Sequence, residues 1–366
     1  MKISVITVCL NSIDTIERAI KSVIGQTYPK LEYIVVDGGS TDGTLDVLNR
    51  YNTSIDRMMS EPDRGIFDAM NKGIELSTGD VIAFLNSDDW YEKHAIETVM
   101  NAFMQGDFDC ICCDNYVEKK DGNIVYYNAT GKSFDDIYFR MIYFHSAIFC
   151  RREFFKKKGN FNLKYKIAAD YNWFLKAAIQ GIKIGNIHKP IFTFCYGGIS
   201  SANVIDCARE ARQIAIENLP VGKEAYKERI DERFYDIVLR AVDQIILRTE
   251  LINILGEDRK IILWGAGQRG EQCAKWFQDI GIEVDGVIDS NKLYWGKTMR
   301  DIEICCPNIL ENKSCDVIIT PDSHVEEIKG MIKKGGNKGN NIFELRSLCR
   351  VLVGNLEMIV QGNGLE

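Results

Sequence analysis

One alternation constrains this chain more than any other feature. Over residues 3–104, short β-branched apolar runs and stretches with helical spacing follow one another, separated by polar breaks. Residues 3–8 are such a run and read as a buried strand. In residues 14–24 the apolar positions Ile16, Ala19, Ile20, Val23 and Ile24 share one helical face. Residues 33–36 are the next strand and stop at Asp37-Gly38-Gly39; Ser40, Thr41 and Asp42 can then cap a helix over residues 43–51. Residues 80–85 are a further strand, ending at Asn86-Ser87-Asp88-Asp89, and residues 92–104 are helical again. This βαβα order predicts an α/β domain, with a mostly parallel sheet covered by helices on both faces.

The texture changes at residue 202. Residues 208–255 are rich in Glu, Arg and Lys, and Ile230, Phe234, Ile237, Val238, Ala241 and Ile245 fall on one helical face. They read as a helical connector whose charges form a solvated face. A second α/β unit starts at Arg259, with strands at 260–264, 283–288 and 316–319 and a helix at 271–280. The expected organisation is residues 1–205, a connector over 206–257, and a small Rossmann-like unit over 258–366. Between the first strand and helix of that unit stands Gly265-Ala266-Gly267-Gln268-Arg269-Gly270, and Asp289 follows about 20 residues later, where a ribose-binding acid would sit. No set of residues for hydride transfer follows. The unit therefore reads either as a holder of some nucleotide or as a ligand-free packing or partner domain. A loop rich in Gly, Asn and Lys spans residues 333–341.

The net charge of −7 opposes non-specific binding to nucleic acid. The 12 cysteines are scattered through apolar runs. Free buried thiols in a reducing cytosol are the expectation, since a chain of this size needs no disulfide framework. Cys110 and Cys113 have metal-type spacing, but no second pair follows, so no zinc site is expected. A strand starts at once at residue 3 where a signal peptide would need a long apolar run. No stretch reaches the ~18–20 apolar residues of a membrane span. The expected location is the cytoplasm, or the inner face of a membrane as a peripheral protein.

In parallel α/β sheets, ligands collect beyond the carboxyl ends of the strands. Three strand ends here carry polar groups: Thr7-Val8-Cys9-Leu10-Asn11, then Asp37, then Asp88-Asp89. A diphosphate leaving group calls for a divalent cation held by hard oxygen ligands, Mn2+ or Mg2+. The competing reading of Asp88-Asp89 is a cap for a helix over residues 90–97.

Four linked segments carry a specific resemblance: SVITVCLN (4–11), VDGGSTDGT (36–44), EPDRGIFDAMNKG (61–73) and LNSDDW (85–90). Over residues 1–205, in order and in register, the chain resembles the family 2 glycosyltransferases of GT-A fold, above all the bacterial branch that builds exopolysaccharide, capsule and O-antigen units. The resemblance implies an inverting enzyme that moves a sugar from a nucleotide-sugar, a UDP-sugar, to a bacterial cell-surface glycan or lipid-linked saccharide. By position it implies that Thr7, Val8, Asn11 and Asp37 hold the nucleotide. Asp63, Arg64 and Lys72 would lie near phosphate or sugar, Asp88 at the ribose or the metal's water shell, and Asp89 on the metal. The segment AADYNW (168–173) implies Asp170 as the general base that inversion requires; the competing reading is a cap for the helix over 171–180. His145-Ser146 fits a family pattern on the acceptor side, structural or catalytic, and residues 197–201 are a loop that either closes over the diphosphate or merely connects.

The chain departs from the family pattern at Gly38, Asn86 and Ala169, where acids are usual. Those departures keep open a non-catalytic nucleotide-sugar-binding scaffold. A nucleotidyltransferase is the other alternative, but residues 9–13 lack the glycine-rich basic loop it would need. Peripheral membrane attachment and self-association both fit the reading.

Overall fold

The computed structural model describes residues 1–256, 259–310, 315–321, 323–334 and 341–362. Most of the Gly/Asn/Lys loop at 333–341 lies outside the described residues. The chain divides into two compact units, Met1–Phe234 and Tyr235–Glu366. Among the described residues no helix is long and apolar enough to cross a membrane.

In the first unit β1 (Ile3–Cys9), α1 (Ile16–Ile24), β2 (Leu31–Asp37), α2 (Thr44–Arg50), β3 (Arg57–Ser60), α3 (Ile66–Leu76) and β4 (Val81–Asn86) alternate as expected. Then come β5 (Trp90–Tyr91), α4 (Ala95–Gln105), β6 (Cys110–Glu118), β7 (Ile124–Tyr127), β8 (Ile148–Arg151), α5 (Arg152–Lys158), α6 (Ala169–Ile179) and β9 (Ile184–Cys195). Helices α7 (Ile199–Ala202), α8 (Val204–Glu217) and α9 (Tyr226–Ala241) follow. The strands form one sheet in the order β3-β2-β1-β4-β8-β6-β9-β5, with β7 beside β6. β1, β2, β3 and β4 run parallel; β8 is antiparallel to both β4 and β6. The curled mixed sheet with helices on both faces is the architecture the resemblance implied.

The two-residue period of a strand divides its side chains between two cores. Ile6 and Val8 join Phe67, Phe84 and Trp173 on one face, while Ile3, Val5 and Cys9 join Ile20, Tyr33 and Phe103 on the other. Each large side chain buried this way contributes about 1.5–3 kcal/mol. The same period corrects the reading of the cysteines. Cys110 and Cys113 point into opposite cores, so they do not form one metal pair. Cys110 is not a free thiol either: it stands opposite Cys150 across β6 and β8, Cα atoms 4.2 Å apart, and the two form a disulfide. A narrow antiparallel pair brings two cysteine side chains within bonding reach whatever the size of the domain. Cys9, Cys112, Cys113, Cys195, Cys207, Cys273 and Cys306 are free thiols.

The stretch read as a connector is helical, but it does not stand between the units. α8 and the first half of α9 belong to the first, since Ile214 and Ile230 are in its core. The second unit contains α10 (Gln244–Leu255), β10 (Ile261–Trp264), α11 (Gln268–Asp279), β11 (Gly286–Ile288), β12 (Thr298–Met299), β13 (Ile302–Cys305), β14 (Asp316–Ile319), α12 (Val325–Lys334), β15 (Ile342–Glu344) and α13 (Leu345–Gly362). Its sheet order is β12-β13-β11-β10-β14-β15, with β12 alone antiparallel.

Candidate active site

Strand order reverses between β1 and β4, because β2 and β3 extend the sheet to one side of β1 and β4 begins the other. A crevice at such a switch point is where α/β sheets take ligands. Ser12 and Ser87 meet there, Oγ to Oγ at 2.9 Å, and join the two strand ends. Asn11 adopts a left-handed backbone (φ 48°), which Asn tolerates better than most residues. Its Oδ1 accepts from Thr41 N at 2.9 Å, so β1 is stitched to the loop after β2. Thr7 and Val8 are a correction. Thr7 is fully buried and its hydroxyl accepts from Tyr33 Oη, while Val8 packs into the core. Neither side chain faces the crevice.

Asp37 is also fully buried. Its Oδ2 accepts from the amides of Gly39 and Ser40 (both 3.0 Å) and from Ser60 Oγ (2.7 Å), and its Oδ1 accepts from Ser40 Oγ. Burial would raise this carboxyl, but those bonds outweigh it and hold Asp37 below the usual range. It organises the loop rather than reaching outward. The absent side chain of Gly38 has a spatial counterpart. A Cβ there would lie 2.4 Å from Asp63 Oδ2, so the Asp63 carboxylate occupies the room an acid at position 38 would need. Asp63 Oδ1 accepts from Gly65 N at 2.8 Å. Arg64 and Lys72 both bind Asp68, and Lys72 pairs with Glu61 at 2.8 Å.

The acidic pair does not cap a helix. Trp90 and Tyr91 form β5, paired with Thr193 and Phe192 of β9, and α4 starts only at Ala95. The two acids differ sharply. Asp89 is fully buried; Oδ1 accepts from Cys195 N (3.0 Å) and Oδ2 from Ser146 Oγ (3.0 Å) and Asn86 Nδ2 (3.2 Å). Asp88 is half-buried, and apart from its own backbone amide its carboxylate has no hydrogen-bond donor among the described residues. Both carboxyls are raised: Asp89 by burial and then by the adjacent Asp88 charge, Asp88 by burial. Asp89's oxygens are thus committed to three parts of the chain, whereas the Asp88 carboxylate is open. The Gly197-Gly198 loop lies against it, with the Cβ position of Gly198 3.0 Å from Asp88 Oδ2. Arg18, missed in the sequence, donates to Asp88 O at 3.1 Å and stacks on Trp90 with its guanidinium 3.7 Å from the ring centre. Among the described residues no three His, Cys, Asp or Glu side chains form a ready-made metal cage.

Asp170 lies in the first turn of α6, where its carboxylate accepts from the adjacent Tyr171 N, 2.8 Å from Oδ1, and from its own backbone amide. Burial lifts its pKa to about 6. The loop leading into α6 is held instead by Glu210 of α8, whose carboxylate accepts from the amides of Lys166 (2.7 Å), Ile167 and Ala168 (both 2.9 Å). Glu210 looked like one solvated charge among many, and no sequence signal separates it from its neighbours. The acidic pair and Asp170 are connected through one turn: Ser146 holds Asp89, and the adjacent His145 lines a pocket together with Asp170.

In the second unit the glycine loop lies where expected, between β10 and α11. A Cβ on Gly270 would sit 1.8 Å from Gly265 O, and one on Gly265 (φ 120°) 2.5 Å from Thr320 Oγ1, while Gly267 faces open space. Two of the three glycines are thus demanded by close packing. Asp289 is a correction: its carboxylate accepts from Ala266 N and Asn291 N, both 2.7 Å, and so closes the turn instead of standing free for a ribose.

Residues 4–177 match the family model described as Glycosyl transferase family 2, and residues 257–343 match one described as C2185-like, N-terminal. A PGL/p-HBAD biosynthesis glycosyltransferase of Mycobacterium bovis is 31% identical over 184 residues, 46% of this chain and 67% of that protein. The hyaluronan synthase of Pasteurella multocida is 31% identical over 330 residues, 87% of this chain. A chondroitin synthase of the same species is 28% identical over 240 residues, 64% of this chain. The chain spans only 31% and 24% of the length of those two synthases. Among solved structures, S. aureus TarS 1-349 in complex with UDP-GlcNAc superposes with a TM-score of 0.54 at 20% identity, covering 76% of this chain and 80% of that one. The mannosyltransferase PcManGT from Pyrobaculum calidifontis, in complex with GDP-Man and Mn2+, gives 0.50 at 18% identity, covering 66% and 76%. These structural likenesses establish the GT-A fold.

Proposed function

Because the chain belongs to glycosyl transferase family 2, we propose that its first unit moves a sugar with inversion from a UDP-sugar to a bacterial cell-surface glycan or lipid-linked saccharide. The observation that carries this reading is the presence, in one unit, of an open carboxylate, Asp88, at the β1/β4 switch point and a second, Asp170, which shares a pocket with His145, the neighbour of the Ser146 that holds Asp89. Asn11, the Asp37-ordered loop and Asp63 would receive the nucleoside. Asp170 takes the proton of the acceptor hydroxyl as that oxygen bonds to the anomeric carbon and the bond to the diphosphate breaks. With a pKa near 6, Asp170 is ionised at neutral pH yet basic enough to accept that proton. Arg18, on the Asp88 carbonyl, and the Gly197-Gly198 loop, against the Asp88 carboxylate, would face the departing negative charge. Asp88 would hold Mn2+ or Mg2+, and the ion would counter the charge of the departing diphosphate. The reading assigns the work to the cytoplasm or the inner face of a membrane, where a peripheral protein meets lipid-linked acceptors.

The test is UDP release from UDP-sugars, with and without Mn2+ and EDTA. Asp88→Asn is expected to lose at least about 100-fold in rate while circular dichroism stays native. Undiminished, EDTA-insensitive release by that variant would overturn the metal assignment.

A further inference from the structure

The two acids of the switch-point crevice are tied to one arginine by separate routes. The turn between β4 and β5 sets Asp88 and Asp89 side by side, and Asp89 N closes it on Asn86 O at 3.2 Å. Ser87 is held by Ser12, and the Asp89 carboxylate by three partners. The Asp88 carboxylate has no such partner among the described residues beyond its own amide, so its place follows from the backbone that carries it. That backbone is held from α1, where Arg18 Nη2 donates to Asp88 O at 3.1 Å.

Arg18 is itself fixed on two further sides. Its guanidinium lies 3.7 Å from the centre of the Trp90 ring, and Nη1 donates to Glu118 Oε2 at 3.5 Å. The same Glu118 oxygen accepts from Cys195 Sγ at 3.6 Å, and Cys195 N donates to Asp89 Oδ1 at 3.0 Å. A planar fork can stack and donate to two acceptors at once, which a lysine ammonium cannot. Stability does not account for this arrangement. The side chains of Arg18 and Glu118 are 43% and 25% exposed, and ion pairs so open to water contribute only about 0–1 kcal/mol. Attraction to a metal does not account for it either. The Arg18 charge reaches the Asp88 carboxylate, so by charge alone it opposes a cation there. Geometry is what Arg18 supplies.

We propose that Arg18 is a positioning residue. By holding the Asp88 carbonyl it aims the open carboxylate at the divalent cation, and through Glu118 and Cys195 it keeps Asp89 in the same frame. The proposal rests on the reading above in which Asp88 holds the ion, and it adds no ligand to that ion. Groups that orient a metal ligand from behind typically account for about 10–100-fold in metal affinity.

The test uses the full chain and Mn2+ alone, with bound ion read from the loss of the free-ion EPR signal. UDP release at a series of Mn2+ concentrations is the second readout. Arg18→Met is expected to weaken Mn2+ binding about tenfold or more, and to raise the Mn2+ needed for half-maximal release by the same factor. Arg18→Lys keeps the charge but loses the fork, and should fall between Arg18→Met and the wild type. Glu118→Gln, which loosens the second anchor, should shift both readouts the same way by a smaller factor. Unchanged Mn2+ binding in Arg18→Met overturns the proposal. So does tighter binding, the sign expected from losing a repelling charge, and so does full recovery in Arg18→Lys. If Arg18→Met lacks a native circular dichroism spectrum, Arg18→Lys and Glu118→Gln decide the question by the same readouts. If the wild type takes up no Mn2+, or Asp88→Asn takes up as much as the wild type, the metal reading of Asp88 fails and this proposal falls with it. Uptake lost in Asp88→Asn but unchanged in Arg18→Met overturns this proposal alone.

Discussion

Three acids of this site share a residue type and little else, and their surroundings decide their roles. Asp37 and Asp89 spend both oxygens on the protein, while Asp170 spends one on its neighbour's amide. Because burial raises Asp170 to about 6, kcat/KM is expected to climb as pH rises through about 6 and then level off. Asp170→Asn should remove that limb and cost about 10²–10⁴-fold in rate; an unchanged profile in the variant would assign the base elsewhere. His145 carries the opposite sign. Burial holds its folded-state pKa at about 4, below the ordinary 6.5 of a histidine in water. The unfolded chain therefore binds an extra proton between those values, and stability falls as pH drops from about 6.5 toward 4. Urea midpoints across that range should show a shallower slope for His145→Phe than for the wild type.

At the scale of elements, the parallel strands and their helices were legible because burial on both faces leaves unbroken β-branched runs. The strand at 316–319 stands where the pattern put it, and β1, β2 and β4 each end one residue beyond their expected ends. The acidic site was legible only as a set of strand ends. Which acid is committed and which is open depends on Cys195 and Ser146, far along the chain, and no local pattern encodes that. The same limit hid the Cys110–Cys150 bond, which needs the register of β6 against β8. It also hid Glu210, whose worth depends on α8 packing beside α6. Glu210→Gln weakens three charge-assisted bonds to backbone amides. It should destabilise the first unit by about 1–3 kcal/mol in urea titrations and lower kcat more than it raises KM. A variant with native stability and kcat would show that the loop before α6 holds itself.

At the scale of the molecule, the two units have separate cores, and α9 contributes residues to both of them. A fragment of residues 1–242 keeps that helix whole and should retain the donor-dependent rise in melting temperature, measured with UDP-sugars; loss of that rise would make the second unit part of the donor site. The Asp89–Cys195 bond reaches across 106 residues and has a consequence for a chain made from its N-terminus. The emerging polypeptide can build β1 to β4 early, but Asp89 then waits, solvated and charged, until β9 leaves the ribosome. The acidic corner therefore closes only when β9 arrives, and the loop before α6 later still, when α8 brings Glu210. A nascent chain arrested before residue 195 would carry that sheet with Asp89 still lacking its Cys195 partner, so this corner of the site closes only after more than half of the 366 residues are made.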